Sequence, residues 1–184
     1  SEIVAAVETR QQILVFTDVS LHAMQYLGPP FTFGITQISE NITIMGPNAT
    51  KAVDDLVFWM GIEDFYVYDG RVQKLPCTVR SYVFNNFNLA QKEKVFTGLN
   101  SSFNEVWWFY PSEESTECDR YVVYNYQEQA WYYGVLTRTA WLDRGVLDYP
   151  LAAGGDQYLY YHELGLDDGS TAPATAISPY IESS

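Results

Sequence analysis

Two histidines, His22 and His162, are the side chains here best suited to proton transfer or metal ligation near neutral pH. Each falls in or beside a stretch that reads as a β-strand. Each is therefore expected to be structural, and two imidazoles do not make a His-rich metal site. Carboxylates occur as adjacent pairs at Asp54-Asp55, Glu113-Glu114 and Asp167-Asp168. Glycoside hydrolysis needs two carboxylates facing each other across a sugar bond, a geometry that neighbours on one turn do not supply. Asp54-Asp55 reads instead as a hairpin turn in front of Leu56. Asp167-Asp168-Gly169-Ser170 has oxygen ligands for calcium but lacks the alternating spacing of a loop site. No Gly-rich phosphate loop with lysine and no Gly-x-Ser-x-Gly elbow occurs. Trp107, Trp131 and Tyr132 could stack on sugars, although packing between sheets is the expected role of such large apolar rings. The sequons at Asn41, Asn48 and Asn100 matter only in a secreted eukaryotic chain. Nothing requires Cys77 and Cys118 to pair. No catalytic, cofactor-binding or metal-ligating residue is assigned, and the chain is expected not to be an enzyme.

The elements that carry these residues are short and aromatic. Aromatic residues make up 16% of the chain, and they sit in runs of three to five with β-branched neighbours. Examples are Ile13–Phe16, Leu56–Met60, Phe65–Tyr68, Val106–Tyr110, Tyr121–Tyr124, Trp131–Tyr133 and Tyr158–Tyr161. Turn formers separate them: Gly28-Pro29-Pro30, Gly46-Pro47-Asn48, Asp69-Gly70, Pro111-Ser112 and Gly154-Gly155-Asp156. Many short strands with turn signals between them predict an all-β fold. Helical periodicity is nearly absent, and the best candidate is a short polar connector from Asn88 to Lys94.

A two-strand unit recurs. It reads Ile13–Asp18 then Leu21–Tyr26, Leu56–Gly61 then Phe65–Gly70, and Glu105–Tyr110 then Arg120–Asn125. A weaker fourth copy is Leu151–Gly154 then Gln157–Tyr161. A further strand follows some copies, at Val72–Leu75 and Ala130–Tyr133. The spacing of roughly 40–55 residues suits propeller blades. One small sheet has two apolar faces and cannot cover both alone, so sheets must stack on sheets. The predicted fold is all-β, with antiparallel four-stranded sheets arranged as blades of a partial β-propeller. Residues 1–169 form this domain of about four blade repeats, and residues 170–184 form an extended C-terminal connector. Four copies are too few for a six- or seven-bladed ring, so further sequence is expected to complete it. The start has no initiator methionine and no signal-peptide pattern, which suggests a processed chain or a piece of a longer one.

Charge narrows the function classes. Ten basic residues against 23 acidic ones give a net charge of −13. Duplex binding rests on lysine and arginine neutralising phosphates, so a general nucleic-acid clamp is disfavoured. Residues 145–184 carry six acidic side chains and no basic one. No run of about 18 apolar residues marks a membrane-spanning helix.

Several stretches resemble a known family. They are Phe16-Thr17-Asp18 with Met24-Gln25-Tyr26, Ile44–Ala49, Phe58–Gly61 with Tyr68-Asp69-Gly70, Leu75-Pro76-Cys77, Phe103–Pro111 and Arg138–Trp141. Together they resemble bacteriophage virion structural proteins, in particular the tail nozzle, or packaged-DNA-stabilisation, proteins of short-tailed phages. The resemblance runs from about Ile13 to Ile181. It implies a propeller-bearing subunit of a ring at the portal end of the virion tail. Six copies would form a channel that retains DNA and releases it at ejection. The implied partners are neighbouring copies and other tail proteins: the adaptor ring, fibres or needle. DNA would pass nearby without sequence-specific binding. The family carries no catalytic residues, so none are transferred.

The residues support two readings. One is a non-enzymatic tail assembly component whose acidic surface repels passing phosphates. The alternative is a carbohydrate-binding or glycan-degrading β-propeller module, suggested by the aromatics and loop carboxylates. In either case the unpaired sheet faces of an open propeller are expected to promote self-association.

Overall fold

The computed structural model describes residues 1–164 and 180–181. Among them the chain is built almost entirely from antiparallel strands. The first sheet is β1 (Ile3–Glu8), β2 (Ile13–Thr17), β3 (Ser20–Tyr26) and β4 (Phe33–Glu40), hydrogen-bonded in that order. The second repeats the meander with β5 (Thr50–Val53), β6 (Leu56–Met60), β7 (Phe65–Tyr68) and β8 (Val72–Lys74). The third is β9 (Phe96–Asn100), β10 (Glu105–Tyr110), β11 (Arg120–Asn125) and β12 (Ala130–Val135). The fourth is smaller, with β13 (Ala140–Leu142), β14 (Leu151–Ala153) and β15 (Leu159–Tyr161).

Local chemistry fixes the hairpins. Val53 pairs with Leu56, so Asp54-Asp55 is a two-residue turn, and Asp54 lies in the left-handed region at φ 54°. Aspartate tolerates that conformation better than a branched residue does. The carboxylate pair is thus a turn, as its position before Leu56 predicts. The connector after Asn88 is a 3-10 segment, Leu89–Lys94, and the Asn88 side chain caps it by accepting from the Ala90 amide at 3.1 Å.

The sheets stack face to face in chain order. Phe16 of the first sheet meets Trp59 of the second edge-on at 5.2 Å. Phe65 of the second meets Trp108 at 5.0 Å and Trp131 at 4.8 Å on the third. Trp108 and Trp131 also donate their indole N–H groups to backbone carbonyls of Ala49 and Pro76, at 3.1 and 2.8 Å. These pairings satisfy the only polar atom of each buried ring. Phe16, Trp59, Phe65, Trp108 and Trp131 are all buried in one continuous core.

The stack has radial order. Backbones of successive sheets approach most closely along their first strands, β1 beside β5, β5 beside β9, and β9 beside β13. Asn48, just before β5, forms a parallel bridge to Phe96 of β9. First strands that line up in this way are the arrangement of consecutive propeller blades. The close approach suits small residues, and Ala5, Ala6, Ala52, Gly98 and Ala140 lie on these strands. The fold is therefore an all-β partial propeller of four blades.

Three details differ from the sequence reading. The first strand of each blade was not legible as a recurring part of the unit. The fourth blade has three strands rather than four among the described residues. A helical turn forms at Arg80–Phe84, where the sequence carries no helical periodicity. Asp167-Asp168 and most of the 170–184 connector lie outside the described residues. Within that connector, the backbone of Tyr180-Ile181 adds a short strand, β16, antiparallel to Tyr132-Tyr133 of β12.

Candidate functional site

The richest cluster of polar and aromatic side chains lies in the seam between the third and fourth blades. Strand alternation places Asn100, Glu105, Trp107 and Phe109 on the same face of the third sheet, because Glu105 pairs with Asn100 and Trp107 with Gly98. Trp141 of β13 lies against this face. It stacks on Trp107 at 5.2 Å, contacts Phe109 at 5.6 Å, and donates its indole N–H to the Leu99 carbonyl at 2.9 Å. The ring fits because Gly98 beneath it has no side chain. A Cβ there would sit 2.7 Å from the indole.

At the end of this seam two carboxylates share one amide. Asn100 is fully buried and donates from Nδ2 to Glu105 Oε2 at 3.4 Å and to Glu163 Oε1 at 3.2 Å. The Trp107 indole donates to the same Glu105 oxygen at 3.0 Å. Burial raises the Glu105 pKa, and the nearby Glu163 and Glu128 charges raise it further, against the lowering hydrogen bonds from Trp107 and Asn100. A carboxyl pushed upward beside a second carboxylate is the usual starting point for acid–base chemistry. Here the two carboxylates are bridged by the Asn100 amide.

His162 closes the same seam. Its Nε2 accepts from the Arg138 Nε at 3.0 Å, and its ring lies 4.6 Å from Trp141. An Nε2 that accepts a hydrogen bond carries no proton, so the neutral imidazole holds its proton on Nδ1. Burial, and then the Arg138 charge, push its pKa down to about 4. The folded-state pKa lies below the unfolded value of about 6.5, so acid favours the unfolded chain. Stability is expected to be lost as the pH falls from about 6.5 through about 4. Urea midpoints across this range will show the drop. His162→Gln keeps an acceptor for Arg138 and is expected to flatten it.

The other sequence candidates lie elsewhere. His22 is on the first blade, where its Nε2 is 2.9 Å from the Ser20 hydroxyl, and the two histidines do not meet. Glu113 and Glu114 are exposed in a loop that is pinned by Asp119. The Asp119 carboxylate accepts from the Ser112 amide at 2.7 Å and the Ser112 hydroxyl at 2.6 Å. Lys94 also ion-pairs with Glu117 of this loop. Trp131 is only 2% exposed and serves the core, so it is not available to stack on a sugar. Trp107 and Tyr132 are half-buried. The sequon at Asn100 is buried and closed to a glycan, whereas Asn41 and Asn48 are exposed. Among the described residues, no group of three or more His, Cys, Asp or Glu could hold a metal ion.

Cys77 and Cys118 are free thiols. Burial raises both pKa values to about 12, so little thiolate exists at neutral pH. Both are expected to resist alkylation in the native protein and to react at the ordinary rate in denaturant. Thiol titration with and without urea measures the contrast.

The cluster that sequence reasoning missed is Asn100, Glu105 and Glu163. Asn100 and Glu105 face each other across one hairpin, whereas Glu163 comes from a stretch about 60 residues on, and no short motif links it to them. What could have signalled it is Glu105 two residues before Trp107, a spacing that places both on one face of a strand.

No family model and no curated protein matches the chain. Twelve solved chains resemble it. Among them is the WD40 domain of Pan2 from Neurospora crassa, with a TM-score of 0.47 and 12% identity. That match covers 97% of this chain and 49% of the other, so this chain spans about half the length of that structure.

Proposed function

We propose that the chain is a non-enzymatic structural component of a phage tail, of the kind that forms a ring channel retaining and later releasing packaged DNA. One observation carries the non-enzymatic part. Trp59, Trp108, Trp131 and Trp141 pack in seams between blades, and the Glu105–Glu163 pair is bridged by the buried Asn100 amide. The assignment to a virion tail rests on the sequence resemblance. Neighbouring copies, an adaptor ring, fibres or a needle are the proposed partners, and the virion tail is the proposed location.

The first strands that line the propeller axis carry Glu8 and Lys51 as their charged residues. The acidic excess sits mainly in loops such as Asp54-Asp55, Glu63, Glu113-Glu114 and Glu128. Repulsion of DNA phosphates is therefore proposed for the outer surface rather than the propeller axis. Titration of labelled duplex DNA at low salt tests it. The expected result is no binding, and tight binding would overturn the proposal.

A specific observation also favours the second reading, a carbohydrate module. Trp107 and Tyr132 remain half-buried beside Glu105. A glycan array and a polysaccharide hydrolysis screen separate the two readings. The structural reading predicts no hit. A hit abolished in Trp107→Ala would replace it with the carbohydrate reading.

A further inference from the structure

The buried Asn100 amide is bonded at one end only. Its Nδ2 donates to Glu105 and Glu163, whereas its Oδ1 has no hydrogen-bond partner, although the residue is 0% exposed. A buried carbonyl without a donor is costly, and such groups are few in folded proteins. The carboxylates beside it are also short of positive charge. Among the described residues, neither Glu105 nor Glu163 ion-pairs with a lysine or arginine. Asp143 adds a third carboxylate to the neighbourhood, accepting from the amide of Ser101, the residue after Asn100, at 3.2 Å. Burial first, and then the charges of Glu163 and Glu128, raise the Glu105 pKa. Of the basic side chains beside the fourth blade, Arg138 donates to His162, and Arg144 is exposed. Uncompensated carboxylates around a buried carbonyl with nothing to accept point to a missing cation.

We propose that Asn100, Glu105 and Glu163 form a calcium site that fastens the fourth blade to the third. A half-turn of the Asn100 amide about its Cβ–Cγ bond exchanges its oxygen and nitrogen, which are nearly alike in shape. The carbonyl gives up no bond in turning. Oδ1 then inherits the 3.4 Å separation from Glu105 Oε2 and the 3.2 Å separation from Glu163 Oε1. Oxygens that close repel each other unless a cation lies between them. Calcium binds oxygen at about 2.3–2.6 Å, which sets adjacent ligands of its shell about 3.3–3.7 Å apart. Magnesium, at about 2.0–2.1 Å, needs them about 2.9 Å apart, and zinc favours nitrogen and sulfur. Two carboxylates and an amide oxygen make a partial shell, which water completes from the side of the exposed Glu163. So small a ligand charge gives weak binding, on the order of 0.1–1 mM. The site joins β9 and β10 to the segment after β15. It goes beyond the tail-component reading and does not depend on it, because it concerns the chain alone.

Titrations of the purified chain with terbium and calcium, after treatment with a chelator, test the proposal. Terbium takes the same oxygen ligands as calcium, and the Trp107 indole, bonded to Glu105 at 3.0 Å, lies close enough to sensitise its emission. The expected result is sensitised emission that saturates at one ion per chain and is displaced by calcium but not by an equal concentration of magnesium. Calcium on the order of 1 mM is also expected to raise Tm. Glu163→Gln and Glu105→Gln each remove a charge while keeping an acceptor for the Asn100 Nδ2. Each is expected to weaken binding by about tenfold or more, since even groups that touch only a ligand are worth about 10–100-fold in affinity. Each is expected to abolish the rise in Tm. Glu163 is exposed, so circular dichroism of Glu163→Gln should match the parent. Emission that is equal in the parent and Glu163→Gln places terbium on the acidic surface at large and overturns the proposal. So does a Tm indifferent to calcium, or one raised equally by magnesium. The DNA and glycan experiments above are indifferent to these results, so failure here leaves the tail reading standing.

Discussion

Trp108→Ala is expected to cost about 3–5 kcal/mol of folding stability, the usual range for removing a large aromatic from a core. The ring is fully buried at the centre of the seam between the second and third blades. It contacts Phe65 at 5.0 Å and Trp131 at 6.2 Å, and its N–H bonds the Ala49 carbonyl at 3.1 Å. Truncation leaves a cavity that rigid strands on both sides cannot close, and it orphans the carbonyl. A loss of this size is a large fraction of the roughly 5–15 kcal/mol that holds a domain folded. Urea denaturation followed by circular dichroism measures it. The neighbouring Trp107 is half-buried, and Trp107→Ala is expected to cost clearly less. Equal losses would mean that burial does not rank these positions.

Gly98→Val is expected to cost about 1–3 kcal/mol by overpacking, with the damage concentrated on the fourth blade. The added Cβ meets the Trp141 ring at 2.7 Å. The ring is held by Trp107 and Phe109 on the third sheet, so it cannot shift while that stacking persists. Either Trp141 leaves the seam or the two sheets separate. Both outcomes loosen the short strands β13 to β15, which have few other ties. Trypsin cleavage at Arg144, in the exposed loop between β13 and β14, is expected to speed up, and tryptophan emission is expected to shift to the red. Unchanged cleavage would show that this seam is not what holds the fourth blade.

These two substitutions probe the same physical idea from opposite sides. Each blade is too small to be stable alone, and aromatic seams between neighbouring blades join the first three into one core and fasten the fourth to the third. Asp64 illustrates a polar version of the same economy. Its buried carboxylate takes ion pairs from Lys74 at 2.7 Å and Arg80 at 2.6 Å, tying the β6–β7 loop to β8 and to the helical turn.

Much of the fold was legible because aromatic hairpins announce themselves. Strands β2, β3, β6, β7, β10 and β11 are the recurring pairs of the sequence, and β8, β12, β14 and β15 follow them at the expected places. A strand buried on both faces needs large apolar residues at every position, and that pattern survives in one dimension. The first strands do not announce themselves. Thr50-Lys51-Ala52-Val53 and Phe96-Thr97-Gly98-Leu99-Asn100 are short and hold small residues, because they pack backbone against backbone near the axis.

Sequence by itself therefore determined the strand repeat, the turns at Asp54-Asp55 and Asp69-Gly70, and the stacking of sheet on sheet. All of these depend on residue type and local spacing. Only the tertiary structure decided which indole is core and which is half-exposed, that one amide of Asn100 joins Glu105 to Glu163, and that the first strands align radially. Those facts depend on which stretches far apart in the chain are brought within a few ångströms, and burial is a property of neighbours that no single stretch carries.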